Sequence, residues 1–210
     1  MEIISHRGAW VEKSEQNSLA SFKRALDAGF GIETDIRDQG SELVIAHDPF
    51  AINPPTLGNF LELASSYPAP GTLALNVKSC GLGEAISRQM SQTSKELDYF
   101  VFDAAVPDLK DLISRPIPVF IRMSELETEL SFLEDCQGIW VDELCTPWIS
   151  PSTLQSLVRT GKRLCFVSPE LHGRKQSPLW ELLRPIAQNP LVSICTDIPF
   201  EADEYFNGSH

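Results

Sequence analysis

The fold of this chain is decided by residues 18–36, which read SLASFKRALDAGFGIETDI. Apolar residues recur in the first part of this stretch at helical spacing and share one face: Leu19, Phe22, Ala25 and Leu26. The pattern predicts a helix over residues 17–28 that ends at Gly29. The β-branched residues that follow predict a strand over Gly31–Ile36. A helix that runs directly into a strand is the repeating unit of an α/β fold.

The same unit recurs along the chain at intervals of roughly 20 to 35 residues, the spacing of strand–helix units. Eight strands are predicted, at Ile3–Ser5, Gly31–Ile36, Leu73–Val77, Phe100–Asp103, Pro118–Ile121, Gly138–Asp142, Arg163–Val167 and Leu191–Thr196. An extra short strand over Glu42–Ala46 is expected to pair locally with Gly31–Ile36. The further helices are predicted at Leu57–Ser65, Glu84–Glu96, Val106–Ser114, Glu125–Glu134, Pro151–Thr160 and Pro178–Gln188.

Eight strands that alternate with helices predict an α/β fold, a compact (β/α)₈ TIM-like barrel in a single domain. We expect the barrel to cover residues 1–200, followed by a polar, frayed tail over residues 201–210. With 210 residues, the chain lies near the lower limit of about 200 for this fold, so its loops must be short. An open doubly wound sheet is the structural alternative.

The composition argues against several classes of partner. The chain has 17 Lys and Arg against 29 Asp and Glu, a formal net charge of −12, whereas nucleic-acid and anionic-membrane binders need a basic surface. No apolar run approaches the ~20 residues of a membrane helix, and no signal peptide precedes the first strand. We therefore expect a cytoplasmic protein without stable membrane insertion. Five widely spaced cysteines favour neither a disulfide framework nor a structural zinc site.

Polar residues at the ends of predicted strands are the candidates for chemistry. His6 and His47 each follow a strand, where the catalytic groups of a parallel barrel lie, although a lone histidine there is more often structural. Glu33 and Asp35 lie two apart on one strand, so their carboxylates share a face. A hard cation such as Mg²⁺ or Ca²⁺ would compensate the two charges. A salt bridge to a nearby Arg or Lys is the alternative.

Four short motifs follow one another between residues 6 and 48. They are His6-Arg7-Gly8, Glu15-Gln16-Asn17-Ser18, Glu33-Thr34-Asp35 after an Ala-Gly turn, and His47-Asp48. Their order and spacing resemble the glycerophosphodiester phosphodiesterase family. Thr196-Asp197-Ile198-Pro199 is similar to the motif that closes the last strand in that family, so the resemblance covers nearly the whole chain. The resemblance implies a TIM-like barrel, a bound divalent metal and a small-molecule phosphodiester substrate.

The resemblance also implies roles for residues at matching positions. His6 and His47 become the acid/base pair, Glu33 and Asp35 the metal ligands, and Arg7 a contact to the phosphate. The implied reaction hydrolyses a glycerophosphodiester to glycerol phosphate and an alcohol. Phospholipase-D-like action on a lipid headgroup is a close variant.

The third strand departs from the family pattern, which has Glu-x-Lys where this chain has Asn76-Val77-Lys78. Lys78 is kept and would bind a phosphate oxygen. Asn76 replaces a metal-ligating Glu, and its amide oxygen can ligate a hard cation without bringing charge. Asp103 ends the next strand and either restores that charge or caps the following turn. The departure leaves open a degenerate barrel that binds a phosphorylated ligand without turnover.

Three polar residues on later strands are weaker candidates. Asp142 ends the sixth predicted strand, Arg122 follows the fifth and His172 follows the seventh. Arg122 and His172 either reach the mouth of the barrel or are solvated loop residues. The terminal His210 is not expected to contribute.

Overall fold

The computed structural model describes residues 1–208, in which strands and helices alternate along the chain. The strands are β1 (Glu2–His6), β2 (Gly31–Gln39), β3 (Glu42–Ile45), β4 (Leu73–Val77), β5 (Tyr99–Phe102), β6 (Phe120–Met123), β7 (Gly138–Val141), β8 (Arg163–Val167) and β9 (Val192–Thr196). The α-helices are α1 (Leu19–Asp27), α2 (Leu57–Ser65), α3 (Gly83–Ser91), α4 (Val106–Ile113), α5 (Pro151–Arg159), α6 (Ser177–Leu183) and α7 (Pro199–Asn207). His210 lies outside the described residues.

The chain divides into two compact units, and the N-terminal unit runs from Ile4 to Val119. Its parallel strands have the order β5-β4-β2-β1. The predicted hairpin is confirmed, because β3 pairs antiparallel with β2, with Arg37 opposite Val44. Val101 of β5 also forms a parallel bridge with Val119, the residue before β6.

The C-terminal unit combines Met1–Ile3 with the residues from Phe120 onwards. Its strands are also parallel and have the order β9-β8-β7-β6, with β1 next to β9. Within each unit, successive parallel strands are therefore neighbours, whereas a doubly wound sheet requires a reversal of strand order. The fold class is a (β/α)₈ barrel of the TIM type, as predicted, and the open-sheet alternative is wrong.

The helices of the N-terminal unit pack through the apolar faces that the sequence predicts. Phe22 of α1 and Phe60 of α2 are fully buried, with their ring centroids 4.6 Å apart. Ser18 caps α1, since its side chain accepts a hydrogen bond from the backbone N–H of Ser21. Burial of each phenylalanine contributes roughly 1.5–3 kcal/mol, so this contact fixes α1 and the loop that precedes it.

The helix predicted over Glu125–Glu134 is wrong. This segment forms turns and ends in a short 3₁₀ helix at Leu133–Asp135. The carboxylate of Glu125 accepts hydrogen bonds from the backbone N–H groups of residues 144–146, and Glu127 pairs with Arg122. A helix would also place Glu125 and Glu129 four residues apart, where like charges repel. Tertiary hydrogen bonds therefore override the local helical pattern.

The predicted polar tail is helical over most of its length. Helix α7 continues to Asn207 because Ala202 and Phe206, four residues apart, are both buried. Asn207 also donates a hydrogen bond to the backbone carbonyl of Met1, at 3.0 Å. The last helix of the C-terminal unit is thus attached to the start of the chain.

Within residues 1–208, the structure contains no helix with the length and apolar character needed to cross a bilayer. All five cysteines are free thiols, and Cys165 and Cys195 are buried, as their apolar sequence context predicts.

The loop from β1 to α1 starts with two residues in the left-handed backbone region, Arg7 at φ 57° and Gly8 at φ 85°. A Cβ atom on Gly8 would lie 2.5 Å from the Oγ of Ser21 and 2.8 Å from its carbonyl carbon. Both distances are shorter than nonbonded contacts allow, so the backbone would have to move. The turn that aims Arg7 therefore requires glycine at position 8.

We predict that Gly8→Ala destabilises the protein by roughly 3 kcal/mol or more, because a steric clash adds to a left-handed penalty of about 1–2 kcal/mol. Gly29→Ala is the matched control, since Gly29 has φ 79° but a Cβ atom at this position would meet no other atom within 4 Å. Urea unfolding of both variants measures the difference. Equal losses of stability would contradict the proposed close approach to Ser21.

Candidate functional site

Polar residues lie at the carboxyl ends of three neighbouring parallel strands in the N-terminal unit. His6 ends β1 and pairs in register with Glu33 of β2. Asp35, two residues further along β2, pairs in register with Asn76 of β4, and Lys78 follows directly after β4. The strand register thus brings together residues that are up to 72 positions apart in the sequence.

The buried carboxylate of Asp35 is surrounded by donors. Its Oδ2 lies 2.9 Å from the Nε of Arg7, and its Oδ1 lies 3.2 Å from the Nζ of Lys78. The side-chain amide of Asn17 donates a hydrogen bond to Oδ2 at 2.8 Å. The Arg7 contact is an ion pair without hydrogen-bond alignment, since its Nε has no hydrogen-bond acceptor. The salt bridge that the sequence left open as an alternative is therefore formed, with two cations.

Burial alone would raise the pKa of Asp35, but Lys78, Arg7 and the hydrogen bond from Asn17 outweigh it and hold the pKa below its usual value. Asp35 is therefore ionised at neutral pH. Because one carboxylate faces two cations, these three groups together carry a net positive charge.

Glu33 behaves in the opposite way. Its side chain is 2% exposed, and burial, followed by repulsion from Asp35, raises its pKa to about 7. Its Oε2 lies 3.8 Å from the Nε2 of His6 and has no hydrogen-bond partner. Near neutral pH, Glu33 therefore gains or loses a proton readily, and it does so beside a histidine.

Asn76 and Asp103 contact each other at the ends of β4 and β5. The Nδ2 of Asn76 donates a hydrogen bond to the Oδ2 of Asp103 at 3.1 Å, and the two strands are neighbours, as predicted. Asp103 has a left-handed backbone, at φ 62°. The hydrogen bond turns the Oδ1 of Asn76 away, and this buried oxygen has no hydrogen-bond partner.

Two buried side-chain oxygens in the N-terminal unit have no hydrogen-bond partner, namely Glu33 Oε2 and Asn76 Oδ1. Both suit a hard divalent cation, because such a cation prefers oxygen ligands. Asp35 fits less directly, because both of its oxygens already contact donors. Among the residues that the structure describes, no group of three or more His, Cys, Asp or Glu side chains has an arrangement suited to a metal ion. A cation site here would therefore depend on the amide of Asn76.

His47 lies on the loop that follows β3, with its side chain 47% exposed. Its Nδ1 lies 2.9 Å from the Oδ1 of Asp48, and its carbonyl accepts a hydrogen bond from Arg37 at 2.9 Å. His47, Arg7 and Asn17 line one cleft of about 580 Å³. The structure therefore places the second histidine and the phosphate-contact candidate on a common surface.

Asn17 is the site residue that sequence reasoning missed, although it stood inside a recognised motif. It adopts a left-handed backbone, at φ 59°, and its side chain bridges Asp35 and the hydroxyl of Thr34, which donates to it at 2.8 Å. An Asn just before the helix cap Ser18 is a signal that could have been used, because Asn tolerates this conformation.

The loop that carries Asn17 is held by an earlier residue of the same motif. Glu15 accepts a hydrogen bond from the backbone N–H of Val11 at 2.8 Å and pairs with Arg24 of α1 at 2.6 Å. In the Glu-x-Asn motif, Glu15 therefore stabilises the loop, and Asn17 contacts Asp35.

The weaker candidates belong to the C-terminal unit. Asp142 is buried, and its Oδ1 lies 2.7 Å from the Nε2 of His172. Arg122 pairs with Glu127. Asp142 and His172 thus form a pair, and Arg122 of β6 is engaged by a carboxylate on the loop that follows this strand.

The whole chain is similar in fold to a solved structure, the crystal structure of glycerophosphodiester phosphodiesterase from Agrobacterium tumefaciens str. C58, with a TM-score of 0.71, 18% sequence identity and coverage of 98% of both chains. The chain resembles that enzyme in fold. Phosphoribosyl anthranilate isomerase from Thermus thermophilus is also similar, with a TM-score of 0.48, 12% identity, and coverage of 94% of this chain and 88% of the other. No model of a known protein family and no curated protein sequence matches.

We predict that Glu33→Gln removes a pH-dependent loss of stability. In the wild type, the unfolded chain releases the Glu33 proton near pH 4.5, whereas the folded protein retains it up to about pH 7. The free energy of unfolding therefore falls as pH rises through this window, by on the order of 3 kcal/mol. Urea unfolding between these pH values, in the presence of a chelator, measures the fall.

The matched control is Glu62→Gln, which changes an exposed glutamate on α2. We expect this control to retain the wild-type fall in stability. If Glu33→Gln loses stability with pH as steeply as the control, Glu33 does not titrate in the way described.

Proposed function

We propose that this protein is a phosphodiesterase that hydrolyses a glycerophosphodiester to glycerol phosphate and an alcohol. The observation that carries the proposal is the pairing of His6 with Glu33, whose pKa is raised to about 7, on the fold of a glycerophosphodiester phosphodiesterase. Groups that titrate near the working pH are suited to general acid–base catalysis. The substrate is proposed to be a small molecule, and the net charge of −12 argues against nucleic acid.

Arg7 and Lys78 are proposed to bind the phosphate. They share the single negative charge of Asp35, so their combined excess of positive charge attracts a phosphodiester anion. Arg7 presents a planar guanidinium that can donate two parallel hydrogen bonds to phosphate oxygens. Lys78 adds a compact charge at the end of β4.

His6 and His47 are proposed to move protons in the reaction. One histidine accepts a proton from the attacking water as the water oxygen bonds to phosphorus, and the other donates a proton to the alcohol oxygen as the phosphorus–oxygen bond breaks. Glu33 is proposed to assist His6, since its Oε2 lies 3.8 Å from the Nε2 of that ring. Asp48 orients the ring of His47 through the contact at Nδ1, although Asp48 is exposed and its effect is small.

A divalent cation, Mg²⁺ or Ca²⁺, is proposed as the cofactor. Glu33 and Asn76 would hold it through their unpartnered buried oxygens, with Asp103 and Asp35 as the further carboxylates of the site. When bound, the cation would neutralise charge on the phosphate oxygens. Asp35 would also keep Arg7 and Lys78 in position for the substrate.

A second candidate function is the binding of a phosphorylated ligand without turnover. The observation that favours it is the compensation of Asp35 by two cations, together with an uncharged amide at position 76. Both features reduce the negative charge that a catalytic metal site usually provides. The two functions differ in whether any phosphodiester is hydrolysed.

The first test of the enzymatic proposal uses glycerophosphocholine and bis-p-nitrophenyl phosphate with added Mg²⁺, Ca²⁺ or Mn²⁺. We expect His6→Gln and His47→Gln to lower kcat by at least ~100-fold, the usual contribution of one acid or base. Lys78→Met should weaken activity, whereas Lys23→Met, a matched change on the exposed face of α1, should not. Unchanged turnover in the histidine variants, or turnover without metal, contradicts the mechanism. Phosphate binding without any turnover supports the second candidate.

Position 76 offers an independent test of the metal site. We predict that Asn76→Glu raises the affinity for Mg²⁺ by about tenfold or more, because a carboxylate adds charge to an oxygen-ligand site. The shift of the melting temperature with Mg²⁺ concentration measures this affinity apart from activity. Asn76→Leu should abolish the shift. Identical Mg²⁺ titrations for the three proteins would exclude position 76 from the metal site.

A further inference from the structure

The loop that carries His47 exposes two large apolar side chains. Within residues 47–55, Phe50 is 94% exposed and Ile52 is 91% exposed, the two highest values among the large hydrophobic side chains of the described residues. Single exposed apolar residues are ordinary, but adjacent ones at the edge of a cleft mark binding surfaces.

The backbone of this loop is constrained at several points. Phe50 and Asn53 have left-handed conformations, at φ 63° and φ 50°, and prolines occupy positions 49, 54 and 55. The carbonyl of Pro55 accepts a hydrogen bond from the backbone N–H of Ile45 at 2.8 Å. A bulky residue rarely adopts a left-handed backbone conformation. The loop therefore holds Phe50 in a backbone conformation that this residue disfavours, with its side chain exposed.

Phe50 and Ile52 line the same cleft of about 580 Å³ as His47 and Arg7. Lys13 contributes a further cation to this cleft. The cleft therefore combines two cations, Arg7 and Lys13, and the carboxylate of Asp48 with two exposed hydrocarbon side chains. This combination matches an amphiphile with an anionic phosphate and an apolar chain.

We propose that Phe50 and Ile52 form an apolar lip that binds a hydrocarbon chain on the substrate, so that the substrate is a phosphodiester carrying one such chain. The inference rests on the proposed function, because it uses the same cleft. The occupant is a single amphiphilic molecule and not a membrane surface. Two side chains provide too little apolar area for stable anchoring, and the net charge of −12 repels anionic lipids.

The test compares p-nitrophenyl phosphodiesters whose second alcohol is methanol, butanol or octanol, each below its micelle concentration. Wild-type kcat/KM should rise by about tenfold or more from methyl to octyl, in line with the value of methylene groups in an apolar site. Phe50→Asn and Ile52→Thr should flatten this rise and leave the methyl ester unaffected. Asn tolerates the left-handed backbone of position 50, and Thr keeps the branched shape of Ile.

The control variants are Phe200→Asn and Val106→Thr, which change exposed apolar residues on α7 and α4. They should keep the wild-type dependence on chain length. A wild-type rate that is equal for all three esters overturns the lip but leaves the phosphodiesterase proposal intact.

A binding experiment separates the two proposals if none of the esters is hydrolysed. Calorimetry would then compare octyl phosphate with methyl phosphate, and tighter octyl binding that is lost in Phe50→Asn supports the lip alone. Equal binding of both phosphates overturns it. Co-sedimentation of the wild type with phosphatidylcholine vesicles, abolished by Phe50→Asn, would also overturn the single-molecule proposal and assign the loop to a membrane surface.

Discussion

The buried carboxylate of Asp35 is the group on which the arrangement of the site depends. Its donors come from the turn after β1, the loop before α1 and the end of β4, namely Arg7, Asn17 and Lys78. Removing a partner from a buried ion pair leaves an uncompensated charge and costs about 3–5 kcal/mol. The three segments are thereby tied to one point on β2, and the side chains proposed to bind phosphate are fixed before any ligand arrives.

The two carboxylates of β2 have opposite acid–base properties because cations outweigh the effect of burial at Asp35 but not at Glu33. Asp35 contacts two cations and keeps its charge, whereas burial, followed by repulsion from Asp35, raises the pKa of Glu33 to about 7. Two carboxyl groups only two residues apart therefore differ in pKa. Asp35 stays ionised at neutral pH, whereas Glu33 exchanges a proton there. Such a separation of pKa values is a common feature of sites that perform acid–base chemistry. A third carboxylate at position 76 would raise the pKa of Glu33 further in the absence of metal, and the amide of Asn76 avoids this.

Much of the fold was predictable because its signals are local. The alternation of strands and helices, the hairpin of β2 and β3, the position of His6 at the end of β1 and that of Glu33 and Asp35 on β2 all follow from short-range patterns. The helix predicted at Glu125–Glu134 failed because the decisive hydrogen bonds of Glu125 run to backbone groups about 20 residues away.

The partners of the site residues were not predictable for a similar reason. Periodicity places a carboxylate on a face but does not say which cation reaches it, so the choice between a metal and a salt bridge at Asp35 stayed open. The role of Asn17 depends on a left-handed backbone and on contacts with β2, and neither is encoded in a spacing. The motif containing Asn17 was visible in the sequence, but its contacts were not.

The charge distribution has a consequence for how a phosphodiester would bind and its product leave. The net charge of −12 is screened beyond about 8 Å at physiological ionic strength, so next to Asp35 the charges of Arg7 and Lys78 dominate. A phosphodiester carries one negative charge, whereas a phosphate monoester carries about 1.5 to 2 at neutral pH. The monoester is repelled more strongly by the acidic surface as it moves outward, and it is also attracted more strongly by the two cations. Because Asp35 offsets one of those cations, it would weaken their hold on a phosphate monoester. The carboxylate that positions the proposed phosphate-binding residues would thereby also favour release of the proposed product.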